Sequence, residues 1–442
     1  MNWSTLRETI ENAPSDKPLH LRNLRTPQAV VPDTLRTAVA DGLCAVDMTL
    51  VGGKIVRIDA PDETAQGGTD MGQRMVWPTT VDCHTHIDKG QVWSRSPNTD
   101  GTFAGAIGAS RADSEVYQTA QDVAARADFA LRTAFAHGTS LLRTHVDVSP
   151  ETFDRRFGIL DEVAQQWAGR IDVQLCPFTG AFEDPDWLGR LARAVKTQRQ
   201  PTLSIFLQKT ADLDAGLDRI FRCAIANDVA LDFHADENLD PESDCLEAVA
   251  KAALRHGYDR SILVGHCCSL SVQSEAQIAR TLDLVAKTQI GIVALPLCNL
   301  YLQDRQPKVS PRQRGIAPLK DIKARGIPVA LASDNARDAF YAYGDLDVPD
   351  LFRDAMRTMQ LDHPVGDWPA TVTKTAAEMI GRPDLGRLSA GGAADLILFS
   401  ARNWSEFTAR TQHDRILIRN GRFASTTPPD FSDLDSLQEM AP

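Results

Sequence analysis

The fold is decided at residues 76–86, which read VWPTTVDCHTH. A run typical of a buried β-strand leads directly into His84-Thr85-His86. Residues two apart on an extended segment point to the same side, so both imidazoles can bind one metal ion. An H-x-H pair alone is a weak signal, and a purely structural role is an equal alternative. Its position after a strand must therefore be judged against the rest of the chain.

Short apolar runs alternate with longer amphipathic segments from about residue 75 to about residue 334. This alternation is typical of repeated β-α units around a parallel sheet. The runs are rich in Val, Ile and Leu, as strands buried on both faces require. The predicted strands are 76–83, 140–146, 171–178, 203–207, 230–235, 262–267, 291–297 and 329–333. Eight such strands predict an α/β fold, a distorted (β/α)8 TIM barrel.

The segments between these strands predict helices. Residues 116–136 repeat their apolar positions at helical spacing and end at Gly138, and 217–225 and 322–325 fill similar slots. Beyond strand eight, Pro349 suits the first turn of a helix that ends near Met359, because its missing N–H would have no intrahelical partner there. The β-α alternation therefore persists throughout the predicted barrel.

The two ends of the chain predict a second, smaller domain. Residues 48–58 read as a β-hairpin whose turn is supplied by Gly52 and Gly53. Near the other end, residues 395–399 and 415–419 are strand candidates, and Asn420-Gly421 is a turn signal. We expect both ends to form one small β-sandwich, which gives domain limits of 1–75, 76–384 and 385–442. Residues 426–442 are expected to form a loosely ordered tail.

The composition is that of an ordinary soluble enzyme, with 43% hydrophobic and 24% charged residues. A formal net charge of -12 argues against nucleic-acid binding, which relies on clustered Lys and Arg. We expect a cytoplasmic protein without membrane association, since neither a signal-peptide core nor a long apolar run is present. The eight cysteines include no C-x-x-C pair, so neither structural zinc nor a disulfide framework is expected. Assembly into a homo-oligomer stays open.

Three further candidate ligands, His234, His266 and Asp334, lie at the ends of predicted strands five, six and eight. Barrel enzymes keep their catalytic groups at these strand ends. A lone histidine is more often a packed structural residue, but the whole set favours a metal site. Three neutral imidazoles and one carboxylate suit one divalent ion, zinc or iron, with room for a water. The ion would lower the pKa of that water from about 16 toward about 7. Asp334 can also collect the proton of the attacking water.

Glu237 is the candidate acid-base residue, three positions after His234 on the turn that leaves strand five. An aromatic amine leaves poorly until the ring is protonated and the attacked carbon is tetrahedral, so its hydrolysis needs a proton shuttle. The Glu237 carboxyl can deliver this proton to a ring nitrogen. The alternative is that Glu237 caps a helix or lies at the surface.

These motifs, in this order, resemble the amidohydrolase superfamily, and most closely the bacterial cytosine deaminases. Beyond His84-x-His86, residues 143–149 (RTHVDVS) resemble the strand-two signature of that family, and 171–174 its strand-three entry. His234-x-Asp236-Glu237 resembles the family's H-C-D-E motif. Residues 296–303 (PLCNLYLQ) and 314–316 resemble its strand-seven segment and the approach to strand eight, and 386–396 its closing sandwich motif. The resemblance is therefore colinear over most of the chain.

The resemblance implies a barrel with a β-sandwich that deaminates an amino-substituted nitrogen heterocycle. It implies one iron or zinc ion on His84, His86, His234 and Asp334. Glu237 would be the proton shuttle, and His266 would orient the attacking water. The substrate would be a small heterocyclic molecule.

Two positions depart from the cytosine deaminase pattern. In Phe178-Thr179-Gly180, the glycine stands where the family carries a glutamine that reads the pyrimidine edge, and Asn335 replaces the second of two adjacent aspartates. Exchanging hydrogen-bonding groups should change the preferred ring. We therefore expect a pterin, an isoguanine-like purine or a substituted cytosine to compete with cytosine. Phe340 resembles the family's ring-stacking position and fits any flat substrate.

The reaction type stays open at this stage, because the same ligands activate water in related hydrolases. A cyclic amidase or an N-dealkylating hydrolase of a related heterocycle is one alternative, and a non-catalytic binding barrel is another. Lys209 follows strand four, where binuclear relatives place a bridging lysine, but it lies one or two residues beyond that strand. His145 and Asp147 are candidates for supporting the ligands. Lys89 is expected at a surface or salt-bridged position.

Overall fold

A computed structural model of the protein describes residues 1–14, 17–36, 38–62, 64 and 67–438. Its centre is a ring of eight parallel strands whose spatial order follows the chain. The strands are β1 (Thr80–Thr85), β2 (Thr139–Asp147), β3 (Asp172–Thr179), β4 (Thr202–Phe206), β5 (Ala230–Ala235), β6 (Ile262–His266), β7 (Ile290–Ala294) and β8 (Val329–Leu331). The predicted α/β barrel is confirmed.

Helices follow every strand, and most of them pack apolar side chains against the outside of the barrel. They are Phe103–Val116 and Ala120–His137 after β1, Phe153–Trp167 after β2, Pro185–Ala194 after β3, Leu213–Asn227 after β4, Cys245–His256 after β5, Glu275–Val285 after β6, Pro296–Leu302 and Leu319–Ala324 after β7, and Val348–Thr358 and Lys374–Met379 after β8. In the part of the chain that the structure describes, none of the helices combines the length and apolarity needed to cross a membrane.

The observed elements differ from the predicted ones where proline or a cap interrupts a pattern. The predicted strand 76–83 is divided at Thr79, since Pro78 has no N–H to continue a ladder and Thr79 N donates to a carbonyl of the other domain. Strand β7 ends at Ala294 because Pro296 begins a helix. The predicted helix 116–136 begins only at Ala120, where the Thr119 side chain caps it, and Val116 is the last residue of the preceding helix.

The second domain is a sandwich of two sheets drawn from both chain ends, as predicted. One sheet contains Leu19–Pro27, Ala38–Ala40, Leu43–Val51, Lys54–Asp59 and Thr69–Asp70, and the other Val76–Pro78, Leu396–Leu398, Ile416–Arg419 and Arg422–Ala424. Helix Trp3–Glu11 buries Leu6 and Ile10 in the core between these sheets. Helix Trp404–Ala409 connects strand Leu396–Leu398 to strand Ile416–Arg419. Val76–Pro78 falls within the predicted barrel domain but pairs with Leu396–Leu398 in the sandwich. The domain limits themselves stay a prediction.

The C-terminal residues pack on the barrel. Short helical turns, Phe431–Leu434 and Asp435–Gln438, bury Leu434 and Leu437 against Phe129 of the helix after β1. The expectation of a loosely ordered tail is therefore wrong for residues 431–437, because two spaced leucines give this segment an apolar side. Residues 439–442 lie outside the described residues.

The ring of strands closes between β1 and the residues that follow β8. Asp334 N donates to His84 O at 2.9 Å, and His86 N donates to Asp334 O at 3.3 Å. One residue earlier, Ser333 N donates to a carboxylate oxygen of buried Asp82 at 3.0 Å. This closure, which we call the seam, holds the predicted metal ligands His84, His86 and Asp334 on two backbone segments that are hydrogen-bonded to each other.

Trp77 is the side chain that ties the sandwich to the barrel helices. It is fully buried, and its ring centroid lies 5.2–6.0 Å from those of Phe352, Phe399, Trp404 and Phe407. We expect Trp77→Ala to lower the free energy of unfolding by about 3–5 kcal/mol, because the void cannot collapse between two rigid elements.

Denaturant unfolding followed by tryptophan fluorescence and calorimetry measures this effect. Val56→Ala is the control, since Val56 is 49% exposed in the same domain and its truncation should change stability by less than about 0.5 kcal/mol. A loss below about 1 kcal/mol for Trp77→Ala would show that the aromatic cluster does not hold the two domains together.

Candidate active site

The predicted metal ligands meet at the carboxyl ends of the barrel strands. His234 Nε2 lies 3.2 Å from His86 Nε2, and Asp334 Oδ1 lies 3.6 Å from His84 Nε2 and 3.4 Å from His86 Nε2. Donor atoms of His84, His86 and His234 all lie within 4.8 Å of one another, as do those of His84, His266 and Asp334. The structure therefore brings all five predicted groups to one point.

The state of these donor atoms fits a divalent ion. Within the described residues, both ring nitrogens of His84, Nε2 of His266 and both carboxylate oxygens of Asp334 are buried without a hydrogen-bond partner. Buried polar atoms are rarely left unpaired in proteins. Burial and neighbouring positive groups lower the pKa of His84 and of His86 well below the ordinary value, which keeps their lone pairs free for a metal.

Close packing beneath the ligands fixes the position of the His84 ring. A Cβ atom at Gly265 of β6 would lie 3.0 Å from His84 Cε1, closer than an ordinary contact, so glycine at this position makes room for the imidazole. On its other side, the ring centroid of His145 lies 4.1 Å away, and His145 Nδ1 is 2.8 Å from Ser204 Oγ. The predicted supporting position of His145 is consistent with these contacts.

A fully buried ion pair lies below this layer, inside the barrel. Arg143 Nη1 is 2.9 Å from Asp232 Oδ2, and the same guanidinium donates to Gln174 Oε1 at 3.0–3.1 Å. Asp232 also lies near His84 and His145 in a third group of close donor atoms. Because Arg143 already pairs with this carboxylate, we interpret the group as support for the ligands.

Glu237 and His266 face each other beside the ligand cluster. Glu237 Oε1 lies 3.4 Å from His266 Nδ1, and Asn299 Nδ2 lies 3.1 Å from the same nitrogen. Burial and the nearby Asp334 carboxylate raise the pKa of Glu237 well above its usual value, which suits a group that carries a proton at neutral pH. Burial lowers the pKa of His266 to about 3, so its ring is neutral.

A cavity of about 560 Å³ opens over these groups, and all four predicted substrate contacts line it: Phe178, Gly180, Asn335 and Phe340. The nearest atom to a Cβ built on Gly180 would be 4.0 Å away, on Phe206, so the space beside this glycine is open. Phe103 and Phe206, which sequence analysis missed, complete an aromatic wall. Flat apolar walls with a few polar groups suit a planar ring.

The turn after β8 is held by Asp338, a second residue that sequence analysis missed. Asn335 Nδ2 donates to Asp338 Oδ2 at 2.7 Å, and Phe340 N and Tyr341 N donate to Asp338 Oδ1 at 2.9 and 3.0 Å. An aspartate bonded to backbone N–H groups two and three positions later is a local turn signal that the sequence did contain. Asp338 thereby sets the position of two predicted substrate contacts.

Lys89 lies inside the cavity, paired with a carboxylate. Its Nζ is 3.1 and 3.2 Å from the two Asp147 oxygens, and only 8% of its side chain is exposed. The predicted salt bridge is therefore present, whereas the predicted surface position is wrong. Burial lowers the pKa of Lys89, but the carboxylates of Asp147, Asp88 and Asp338 raise it above its ordinary value, so the group stays charged.

Lys209 does not reach the ligand cluster. Its side chain is 46% exposed, and its Nζ bonds to Glu242 O and lies 3.5 Å from an Asp244 carboxylate oxygen. A lysine held outside the barrel by these contacts does not bridge two ions in this arrangement. The geometry therefore favours the mononuclear interpretation.

The amino-acid sequence matches known proteins along most of its length. The model of the family described as "Amidohydrolase family" matches residues 180–424. The pterin deaminase of Rhizobium rhizogenes (strain K84) is 45% identical over 405 residues, which cover 90% of this chain and 92% of that protein. The N-isopropylammelide isopropyl amidohydrolase of Pseudomonas sp. (strain ADP) is 21% identical over 85% of this chain and 92% of its own.

The fold also matches a solved structure. The 5-methylcytosine deaminase of Klebsiella pneumoniae, crystallised with 5-fluorocytosine, superposes with a TM-score of 0.78 at 23% identity, covering 93% of this chain and 98% of that one. This likeness agrees with the barrel, the sandwich and their order along the chain. The family match and the 45% identical relative lead to one conclusion: the chain belongs to the amidohydrolase family.

Proposed function

We propose that this protein is a pterin deaminase, which hydrolyses the 2-amino group of a pterin and releases ammonia. The 45% identity to the Rhizobium pterin deaminase, over 90% of the chain, is the observation that carries the proposal. The open space beside Gly180 supports it, because a bicyclic ring needs more room than a pyrimidine. A small-molecule substrate and a cytoplasmic location are part of the same proposal.

The coarser statement does not depend on the substrate: the protein is a hydrolase of carbon–nitrogen bonds that deaminates a heterocycle. N-dealkylation is the nearest alternative reaction, since one relative at 21% identity is an isopropyl amidohydrolase. The products separate the reactions: deamination releases ammonia and keeps the ring, dealkylation releases an alkylamine, and a cyclic amidase gives a ring-opened acid.

In the proposed mechanism His84, His86, His234 and Asp334 hold one divalent ion. When bound, this ion would supply an activated water at neutral pH. Zinc and iron both suit the three imidazoles and one carboxylate. The ligands sit on rigid strand ends beneath the cavity, so a ring lying between Phe178 and Phe340 would present its edge to them.

Glu237 and Asp334 handle the protons of the reaction. A water oxygen forms a bond to the amino-bearing carbon, and the pair of the ring C=N bond moves to the ring nitrogen. Glu237 gives that nitrogen a proton, while Asp334 accepts the proton of the water. Asp334 then passes its proton to the amino group, the C–N bond breaks and ammonia leaves. The hydroxyl proton goes to Glu237, so a ring carbonyl is left and both carboxyl groups return to their starting states. His266, held by Asn299, would orient the water.

We expect each chain to bind one divalent transition-metal ion, because the ligand atoms converge on one point. Elemental analysis of the purified protein measures the content and distinguishes zinc from iron. His234→Ala should lose most of the ion, whereas His256→Ala should keep it, since His256 pairs with Asp218 on the outer surface. An enzyme that stays fully active after exhaustive chelation would contradict the proposed mechanism.

Glu237→Gln should keep the metal and lose activity by about 10²-fold or more, because an amide of the same shape cannot transfer protons. Steady-state kinetics together with metal analysis measure both parts of this expectation. The exposed Glu242→Gln is the matched control and should behave as the wild type. Near wild-type rates for Glu237→Gln with bound metal would assign Glu237 a structural role.

Pterin should be a better substrate than cytosine, by roughly 5- to 200-fold in kcat/KM for each missing contact. Cytosine would leave a gap beside Gly180 and would lack the partner that the cytosine deaminase glutamine supplies. The test compares pterin, isoguanine, cytosine and 5-substituted cytosines on one preparation, with ammonia as the readout. A clear lead for cytosine would mean that another group fills the place of the glutamine.

A further inference from the structure

We propose that Lys89 determines specificity by donating a hydrogen bond to the lactam carbonyl oxygen of the substrate ring. This inference rests on the proposed deamination of a pterin and adds the group that recognises the ring. The carbonyl lies next to the ring nitrogen that separates it from the amino-bearing carbon. Lys89 would therefore read the same edge of the ring on which the reaction takes place.

The Lys89 ammonium has a donor to spare inside the cavity. An ammonium carries three N–H groups. Two of them can bond to the Asp147 oxygens at 3.1 and 3.2 Å, and among the described residues no other hydrogen-bond acceptor contacts Nζ. The faces of Phe340 and Phe178 also lie beside Nζ, with centroids at 4.8 and 5.8 Å. These rings are the walls between which a flat substrate would lie.

The other polar groups of the cavity are less suited to this contact. Gly180 has no side chain, and Asn335, which is neutral, already gives one of its two amide N–H groups to Asp338. Arg156 donates to Asp147 O and to Ser114 Oγ at 2.8 Å each, and the Arg111 side chain is 80% exposed at the cavity rim. Among the described residues that line the cavity, Lys89 is therefore a buried cation that lies against the aromatic walls and keeps a donor free.

The reaction chemistry explains why a cation would act there. When water adds to the amino-bearing carbon, the electron pair that moves to the ring nitrogen is shared with the conjugated carbonyl oxygen. Negative charge thus grows on that oxygen before Glu237 completes the proton transfer. A preorganised ammonium in a buried site stabilises such charge more in the transition state than in the ground state. The contact should therefore appear in kcat as well as in KM.

The experiment compares pterin with 2-aminopteridine, which lacks the carbonyl oxygen, in the wild type and in Lys89→Met. We expect the variant to lose about 10- to 100-fold in kcat/KM on pterin, the scale of a charge-assisted hydrogen bond. Its kcat/KM on 2-aminopteridine should change little. Lys323→Met is the matched control, because Lys323 also pairs with an aspartate beside an aromatic ring, far from the cavity, and its loss should affect neither substrate.

A second variant separates recognition from disturbance of the fold. Lys89→Met leaves Asp147 unpaired, so Lys89→Met/Asp147→Asn removes both charges, and metal content and melting temperature are measured for each protein. The double variant should show the same selective loss on pterin. Equal losses on the two substrates, in proteins that keep metal and stability, would overturn the role of Lys89.

The outcome for Lys89 can be told apart from the outcome for the proposed function. Pterin fluorescence measures binding to metal-loaded Glu237→Gln, with and without Lys89→Met, and binding should weaken in the double variant. If the wild type deaminates isoguanine or cytosine but not pterin, the proposed function fails, and the same comparison with and without the carbonyl decides the role of Lys89. A wild type that neither binds nor deaminates any of these lactams would overturn both.

Discussion

The site depends on the seam, the two backbone hydrogen bonds by which Asp334 joins β1 to the end of β8. Strand β8 has only three residues, and its partner across the gap is the segment that carries His84 and His86. The residue that closes the barrel is therefore also a proposed metal ligand. Asp334 adopts a left-handed backbone with a φ of 65° to do this, a conformation that is uncommon for residues other than glycine.

The same constraint determines the electrostatics of the site. Closure of the ring removes water from the ligand cluster, so burial keeps the histidines neutral and raises the pKa of Asp334 to about 7. His266 likewise has a left-handed φ, of 71°, at the end of β6. Burying the polar atoms gathered at these strand ends is costly, and several of these atoms have no hydrogen-bond partner in the protein. This cost is what a bound cation would offset.

The ligands and the barrel could be predicted from the sequence because both follow from local patterns. Buried strands are short apolar runs, and residues at their carboxyl ends share one edge, which is enough to bring His84, His234 and Asp334 together. The position of Lys89 could not be derived in this way, because it depends on the path of the loop after β1 across to Asp147 on β2. The packing of residues 431–437 on Phe129 is a contact between distant parts of the chain, which local periodicity does not encode.

The groups proposed for catalysis lie at strand ends, whereas those proposed for substrate recognition lie on the connections between elements. The predicted ligands lie on or beside strand ends, and Glu237 lies two residues after β5, so the geometry proposed to activate water is fixed by the barrel. The residues that would touch the ring, such as Lys89, Asn335 and Phe340, lie on connections between elements, where substitutions do not disturb the ladder. The turn with Asn335 and Phe340 is nevertheless rigid, because Asp338 bonds to both. Under the proposed function, a change of substrate in this fold would require only new loop residues around an unchanged reaction centre. The ligands would then determine the chemistry, whereas Gly180, Asn335 and Lys89 would determine which ring is accepted.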